Sequence, residues 1–173
     1  FTALGTSSSA ATIPVTLNST KKNGVTDAVA GFVVPLCATI HLSGSMVKIT
    51  CFSIAVLLLS GGDVSFASYF PSILMLGVMM IAAPGVPGGA IAAAAGLLVQ
   101  MLGFGDIEVG LMFAAYIALD SFGTATNVTG DGALAMIVNK LTRGKLGSQA
   151  QDEADEDIDP LEGEVVAQHT LPQ

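Results

Sequence analysis

The chain has 173 residues, 51% hydrophobic and only 12% charged, with a mean hydropathy of +0.70. A soluble domain carries about 25% charged residues, so this composition excludes a typical cytosolic enzyme or nucleic-acid binder. The formal net charge of -8 belongs to one end: residues 144–173 hold eight acids against Lys145, which leaves the first 143 residues at -1. The organisation predicted is a nearly neutral membrane body followed by an acidic, disordered tail.

There is no initiator Met and no basic-then-apolar leader; Phe1 opens directly into a Ser/Thr/Ala turn, Thr6 to Pro14, as if the chain began mid-element. After Lys21 and Lys22, residues 28–47 carry no formal charge, and after Lys48 none appears until Asp63. Spans of this length need lipid. Within the first of them, Thr39-Ile40-His41-Leu42-Ser43-Gly44-Ser45 places polar groups and a Gly in mid-membrane. That reads as an unwound helix whose freed carbonyls face a cation; the plainer alternative is a continuous helix decorated with Ser and Thr. Cys37 and Cys51 lie 14 residues apart, about 21 Å on one helix, too far for a disulfide, and no His/Cys cluster suggests zinc.

Residues 64–105 form an uncharged stretch of 42 residues, interrupted by Ala83-Pro84-Gly85-Val86-Pro87-Gly88-Gly89. No helix survives that composition, which predicts two arms of about 16–20 residues joined by a tight tip. An uncharged tip suits a re-entrant hairpin whose backbone groups are satisfied inside protein. Two plain spanning helices are the simpler alternative.

The last apolar segment holds the most specific signal. Asp120, Thr124, Asn127 and Asp131 recur at helical spacing on one stripe, with Tyr116 one turn earlier. Carboxylates inside an apolar span are expensive and mark an ion or substrate path. The two acids are separated by about 16 Å of rise and cannot share a proton as an aspartyl dyad, which weighs against an intramembrane protease. Lys21 and Lys22, and Lys140, Arg143 and Lys145, place the first connection and the tail in the cytoplasm by the positive-inside rule, with the hairpin entering from outside.

Ser7-Ser8-Ser9, Pro35-Leu36-Cys37-Ala38-Thr39-Ile40, Gly85-Val86-Pro87-Gly88 and Asp120 through Asn127-Val128-Thr129-Gly130-Asp131 resemble the dicarboxylate/amino acid:cation symporters, the glutamate-transporter family. The resemblance covers residues 1 to about 143. It implies the second half of a transport domain: hairpin 1 tip and descending arm (1–22), helix 7 (23–62, unwound near 39–45), re-entrant hairpin 2 (63–105), helix 8 (106–143) and the cytoplasmic tail (144–173). Six preceding helices, including a scaffold half and its homotrimer contacts, are implied upstream.

By the same resemblance, Asp120 takes a substrate ammonium, with Asn127 and Thr124 on the carboxylate side and Ser45 beside them. Backbone at Ser8, Ser9 and Val86 to Ala90 closes on the substrate from two sides. Asp131 with carbonyls near Cys37, His41 and Asn127 makes one sodium site; Thr39 with carbonyls at Met80, Ile81 and Ala83 makes a second. Two departures matter. Gly123 stands where acidic-substrate members carry an Arg, and an Arg matches a carboxylate by a bidentate fork. The helix 7 motif N-M-D-G-T reads His41-Leu42-Ser43-Gly44-Ser45. Lys48, the only basic residue inside a span, is a candidate charge partner, either for the substrate or in place of a lost sodium; it could also snorkel to the interface. His41 is a neutral hydrogen-bonder or a proton-coupling group.

The reading is therefore an all-α, multi-pass plasma-membrane protein of broken helices and re-entrant hairpins. Its expected activity is symport of a small, neutral amino acid coupled to sodium or protons, with no other cofactor and no nucleic acid. The alternative substrate is a dicarboxylate or acidic amino acid; the alternative class is a channel-like or intramembrane-enzyme domain.

Overall fold

The computed structural model describes residues 1–142. They form helices α1 (Thr2–Thr6), α2 (Ser9–Lys22), α3 (Asp27–Ile40), α4 (Ser43–Leu59), α5 (Phe66–Ala82), α6 (Gly89–Leu102), α7 (Asp106–Ala118) and α8 (Asp120–Thr142), with no strand among the described residues. Contacts gather Phe1–Val138 into one compact unit, and Asn139 onward falls in a second. The expected acidic tail, 144–173, lies outside the described residues.

The helices come as broken pairs. Between α1 and α2, Ser7 takes a left-handed conformation (φ 48), and Ser8 caps α2 by accepting from the Ala11 N–H. Between α3 and α4 the break is narrower than the expected 39–45, and only His41 and Leu42 leave the helix. The His41 N–H still reaches the Cys37 carbonyl, and the Met46 N–H reaches Leu42, so helical bonding stops and resumes within two residues. Cys37 and Cys51 consequently sit on different helices, α3 and α4, as free thiols.

The prolines and glycines at 84–88 separate α5 and α6, with Gly88 left-handed at φ 72. The arms have 17 and 14 residues, about 26 and 21 Å of rise, less than the ~30 Å hydrocarbon thickness. Their tip is seated on protein, since the Gly85 carbonyl accepts from the Ser8 hydroxyl at 3.0 Å and from the Ala10 N–H at 3.1 Å.

The last segment departs from the single helix expected over 106–143. It breaks at Leu119, and α7 and α8 meet at a bend of 63°. No Pro or Gly marks the site. A tertiary partner meets the bend: the carbonyls of Tyr116 and Leu119 accept from the Lys48 ammonium, each at 3.3 Å.

Counted across its break, Asp27–Leu59 is long and apolar enough to cross a membrane, with a mean hydropathy of 1.9, and the bent α7–α8 pair qualifies when taken together. Large apolar side chains stand on the outer surface, among them Phe32, Leu59, Phe66 and Ile107, which suits contact with lipid rather than water. Two apolar clusters hold the unit together. Val29, Val33 and Val34 of α3 pack with Ala135 of α8 and with Ile13 and Leu17 of α2. Ile49, Met80, Ile91, Leu98 and Met112 join α4 through α7. The breaks meet one another through hydrogen bonds, Ser8 to Gly85 and Gly88 to Asp120.

Candidate functional site

Asp120, Thr124, Asn127 and Asp131 are all buried, at 5%, 4%, 2% and 1% exposure. Their spacing puts them on one face of α8, and that face meets the breaks of the other pairs. A charged group at mid-membrane costs ~3 kcal/mol even on insertion scales, so each acid needs partners.

Asp120 has two. Its Oδ1 lies 2.9 Å from Lys48 Nζ, and its Oδ2 accepts from the Gly88 N–H at 2.9 Å. The side chains of this ion pair are 9% and 7% exposed. Lys48 Nζ also sits over the Tyr116 ring, 3.4 Å from its centroid. Gly123 makes room for it, because a Cβ there would lie 3.1 Å from Nζ.

Asn127 bridges to the start of α4: its Oδ1 accepts from the Gly44 N–H at 2.8 Å, and its Nδ2 donates to Ser45 Oγ at 3.2 Å. The Tyr116 hydroxyl donates to the same Ser45 oxygen at 2.9 Å. Asp131 faces the α3–α4 break itself, with His41 Nδ1 2.8 Å from its Oδ1. Its Oδ2 is buried and has no hydrogen-bond partner among the described residues. Gly130 admits the His41 ring, which any side chain at 130 would strike.

The expected substrate residues are thus gathered. Ser9, Ser45, Val86, Ala90, Asp120, Thr124 and Asn127 line one cavity of only about 10 Å³, room for a single water at most. Ser8 stands beside it with its hydroxyl turned to the Gly85 carbonyl, while the Ser9 hydroxyl is buried without a partner among the described residues. A wider groove of about 360 Å³ runs along the far side of Lys48, bounded by Val47, Phe52, Phe122 and Gly123.

The expected cation residues divide. Cys37, His41, Asn127 and Asp131 cluster at the break, and here the His41 side chain, rather than its carbonyl alone, reaches the acid. Thr39 is exposed and its hydroxyl donates to the Leu36 carbonyl of its own helix at 2.9 Å. Near the hairpin, Met80 and Ala83 are buried and Ile81 is 61% exposed.

Sequence reasoning missed the bend at Leu119 and the seating of Gly85 on α2; both depend on partners distant in sequence, Lys48 and Ser8. Lys48 itself was findable, as the lone basic residue in an apolar span.

Comparison with known proteins places these features in a family. A sequence profile described as "Sodium:dicarboxylate symporter family" matches residues 1–141. Excitatory amino acid transporter 1 of Rattus norvegicus is 31% identical over 147 residues, covering 84% of this chain and 27% of that protein. An excitatory amino acid transporter of Caenorhabditis elegans is 33% identical over 147 residues, covering 84% and 29%. Excitatory amino acid transporter 2 of Homo sapiens is 30% identical over 166 residues, covering 92% and 28%. The chain therefore spans less than a third of the length of these relatives.

Proposed function

The chain belongs to the sodium:dicarboxylate symporter family, and from that premise we propose that the protein carries a dicarboxylate or acidic amino acid across a membrane in symport with sodium. The observation that carries this reading is the buried face of α8, where two acids and two neutral polar groups meet the breaks of two other helix pairs, α3–α4 and α5–α6. Helix breaks expose backbone N–H groups to an anion and carbonyls to a cation. Asp120 takes a substrate ammonium; Thr124, Asn127 and the amino end of α2 take a carboxylate. Asp131, with its unpartnered oxygen and the carbonyls of Cys37, His41 and Asn127, holds sodium.

A cavity of about 10 Å³ admits no amino acid, so the α5–α6 tip lifts from Ser8 and Asp120 for substrate to enter. The small neutral amino acid expected from Gly123 is the weaker reading. It supposed a site without a cation, whereas Lys48 Nζ lies against Gly123, and the family's description names dicarboxylates. Multi-pass insertion with a cytoplasmic C-terminus, a scaffold half and a trimer belong to the same proposal for the whole protein.

The test is uptake by the full-length protein in proteoliposomes. An imposed sodium gradient should drive saturable accumulation of labelled aspartate, and Asp120→Asn should abolish it. Flux that neither saturates nor concentrates would return the channel-like alternative, and peptide cleavage the enzyme.

A further inference from the structure

We propose that Lys48 determines substrate choice by exchanging partners: it leaves Asp120 when a substrate ammonium arrives and binds a second substrate carboxylate. The protein then selects amino acids that carry an extra carboxylate over both amine-free dicarboxylates and neutral amino acids. This rests on the symport reading above and deepens it.

Between Lys22 and Lys140, Lys48 is the only Lys or Arg in the chain. A carboxylate drawn into a low-dielectric site needs a cation beside it, so the candidate on this stretch is a single residue. Its ammonium is held by one formal charge and weaker dipoles: Asp120 Oδ1 at 2.9 Å, the Tyr116 and Leu119 carbonyls at 3.3 Å, and the Tyr116 ring. When Asp120 is taken, the carbonyls and the ring remain to orient Nζ, but nothing among them neutralises it. The groove of about 360 Å³ beside Lys48, and the absence of a side chain at Gly123, give the ammonium room to shift.

Counting ion pairs then ranks the substrates. A buried charge whose partner is removed is strongly unfavourable. An amine-free dicarboxylate draws Lys48 away and leaves Asp120 bare. A neutral amino acid places its ammonium on Asp120 and leaves Lys48 bare, because its α-carboxylate has other donors at the amino end of α2. There the Ser9 hydroxyl is buried and has no hydrogen-bond partner among the described residues, and the Ala10 N–H and the Ser8 hydroxyl both donate to the Gly85 carbonyl of the movable tip. An amino acid with a second carboxylate breaks one internal ion pair and leaves both of its members paired again.

The experiment compares aspartate, succinate and serine as competitors of labelled aspartate, using the full-length protein in proteoliposomes. The wild type should rank aspartate first. Lys48→Met should weaken aspartate by roughly 100-fold and serine far less, inverting the order, while Lys48→Arg should preserve it. Gly123→Ala, which crowds Nζ without removing it, should weaken aspartate selectively, and it serves as the probe if Lys48→Met fails to insert. An unchanged rank order in Lys48→Met, or an equal loss for all three substrates, overturns the proposal and leaves acidic-substrate symport standing. A wild type that accumulates serine but neither acid overturns both.

Discussion

The two acids of α8 are held in opposite ways. Each is met by a basic side chain from the α3–α4 pair, Lys48 at Asp120 and His41 at Asp131. Each basic group occupies space that a glycine of α8 leaves open, Gly123 and Gly130. Beyond that the ends differ. Asp120 uses both oxygens, one on Lys48 and one on the hairpin tip through Gly88, so its end is charge-balanced and latched shut. Asp131 uses only Oδ1, and its Oδ2 is buried without a partner among the described residues. In the proposed symport an organic substrate must displace contacts at the first end, whereas a bare cation can add to the second without displacing the acid's existing bond.

The strongest way to break this comparison is to remove the charge at the second end. Asp131→Asn should abolish cation-dependent transport while leaving membrane insertion intact, because the surrounding oxygens are otherwise neutral. Sodium titrations of uptake in the variant measure this, and an unchanged sodium dependence would sink the assignment. At the first end, Asp120→Asn removes the partner of Lys48 and weakens the grip on the hairpin tip. Breaking a buried ion pair from one side costs ~3–5 kcal/mol, so substrate affinity should fall by at least about 100-fold. Adding Lys48→Met should recover part of the lost thermal stability, since it removes the bared cation. Strict additivity of the two changes would mean that the pair is not coupled.

The glycines sharpen the comparison further. At Gly130 an added Cβ meets the His41 ring, a rigid group held by Asp131; at Gly123 its tight contacts are with the flexible end of Lys48, the Gly44 backbone lying at an ordinary 3.8 Å. Gly130→Ala should therefore lower stability by ~1–3 kcal/mol through overpacking and weaken cation binding, with Gly123→Ala milder in stability. Thermal unfolding of both variants in detergent checks the order, and equal shifts would contradict the contrast in rigidity.

How legible these ends were in the sequence follows from where their causes lie. The stripe on α8 could be read because helical periodicity and the cost of buried acids are local arguments. The α5–α6 tip could be read because Pro84, Pro87 and Gly88 leave no helix to continue. The bend at Leu119 could not, since Ala118, Leu119 and Asp120 contain no breaker and the stabilising ammonium comes from 71 residues away. The α3–α4 break spans only His41 and Leu42, narrower than the expected 39–45. Polar side chains at 39, 43 and 45 resemble an unwound segment, yet Thr39 folds its hydroxyl back onto its own helix, and Ser45 turns inward from α4 to Tyr116 and Asn127.

The smallest expected effect concerns Tyr116, which touches the first end in two separable ways. Its hydroxyl donates to Ser45 Oγ at 2.9 Å, while its ring carries the Lys48 ammonium 3.4 Å from the centroid. Tyr116→Phe removes only the hydroxyl. Ser45 Oγ still receives Asn127 Nδ2, so no acceptor is stranded and the loss should be about 1 kcal/mol, roughly fivefold in affinity. Tyr116→Leu removes the ring as well and leaves a cavity, and a buried cation–ring contact adds ~0.5–2 kcal/mol to the loss. The two variants should thus be separated in acidic-substrate competition and ranked Phe before Leu. If Tyr116→Phe is as damaging as Tyr116→Leu, the hydroxyl alone matters at this position, and the ring contributes nothing to holding the ammonium near Asp120.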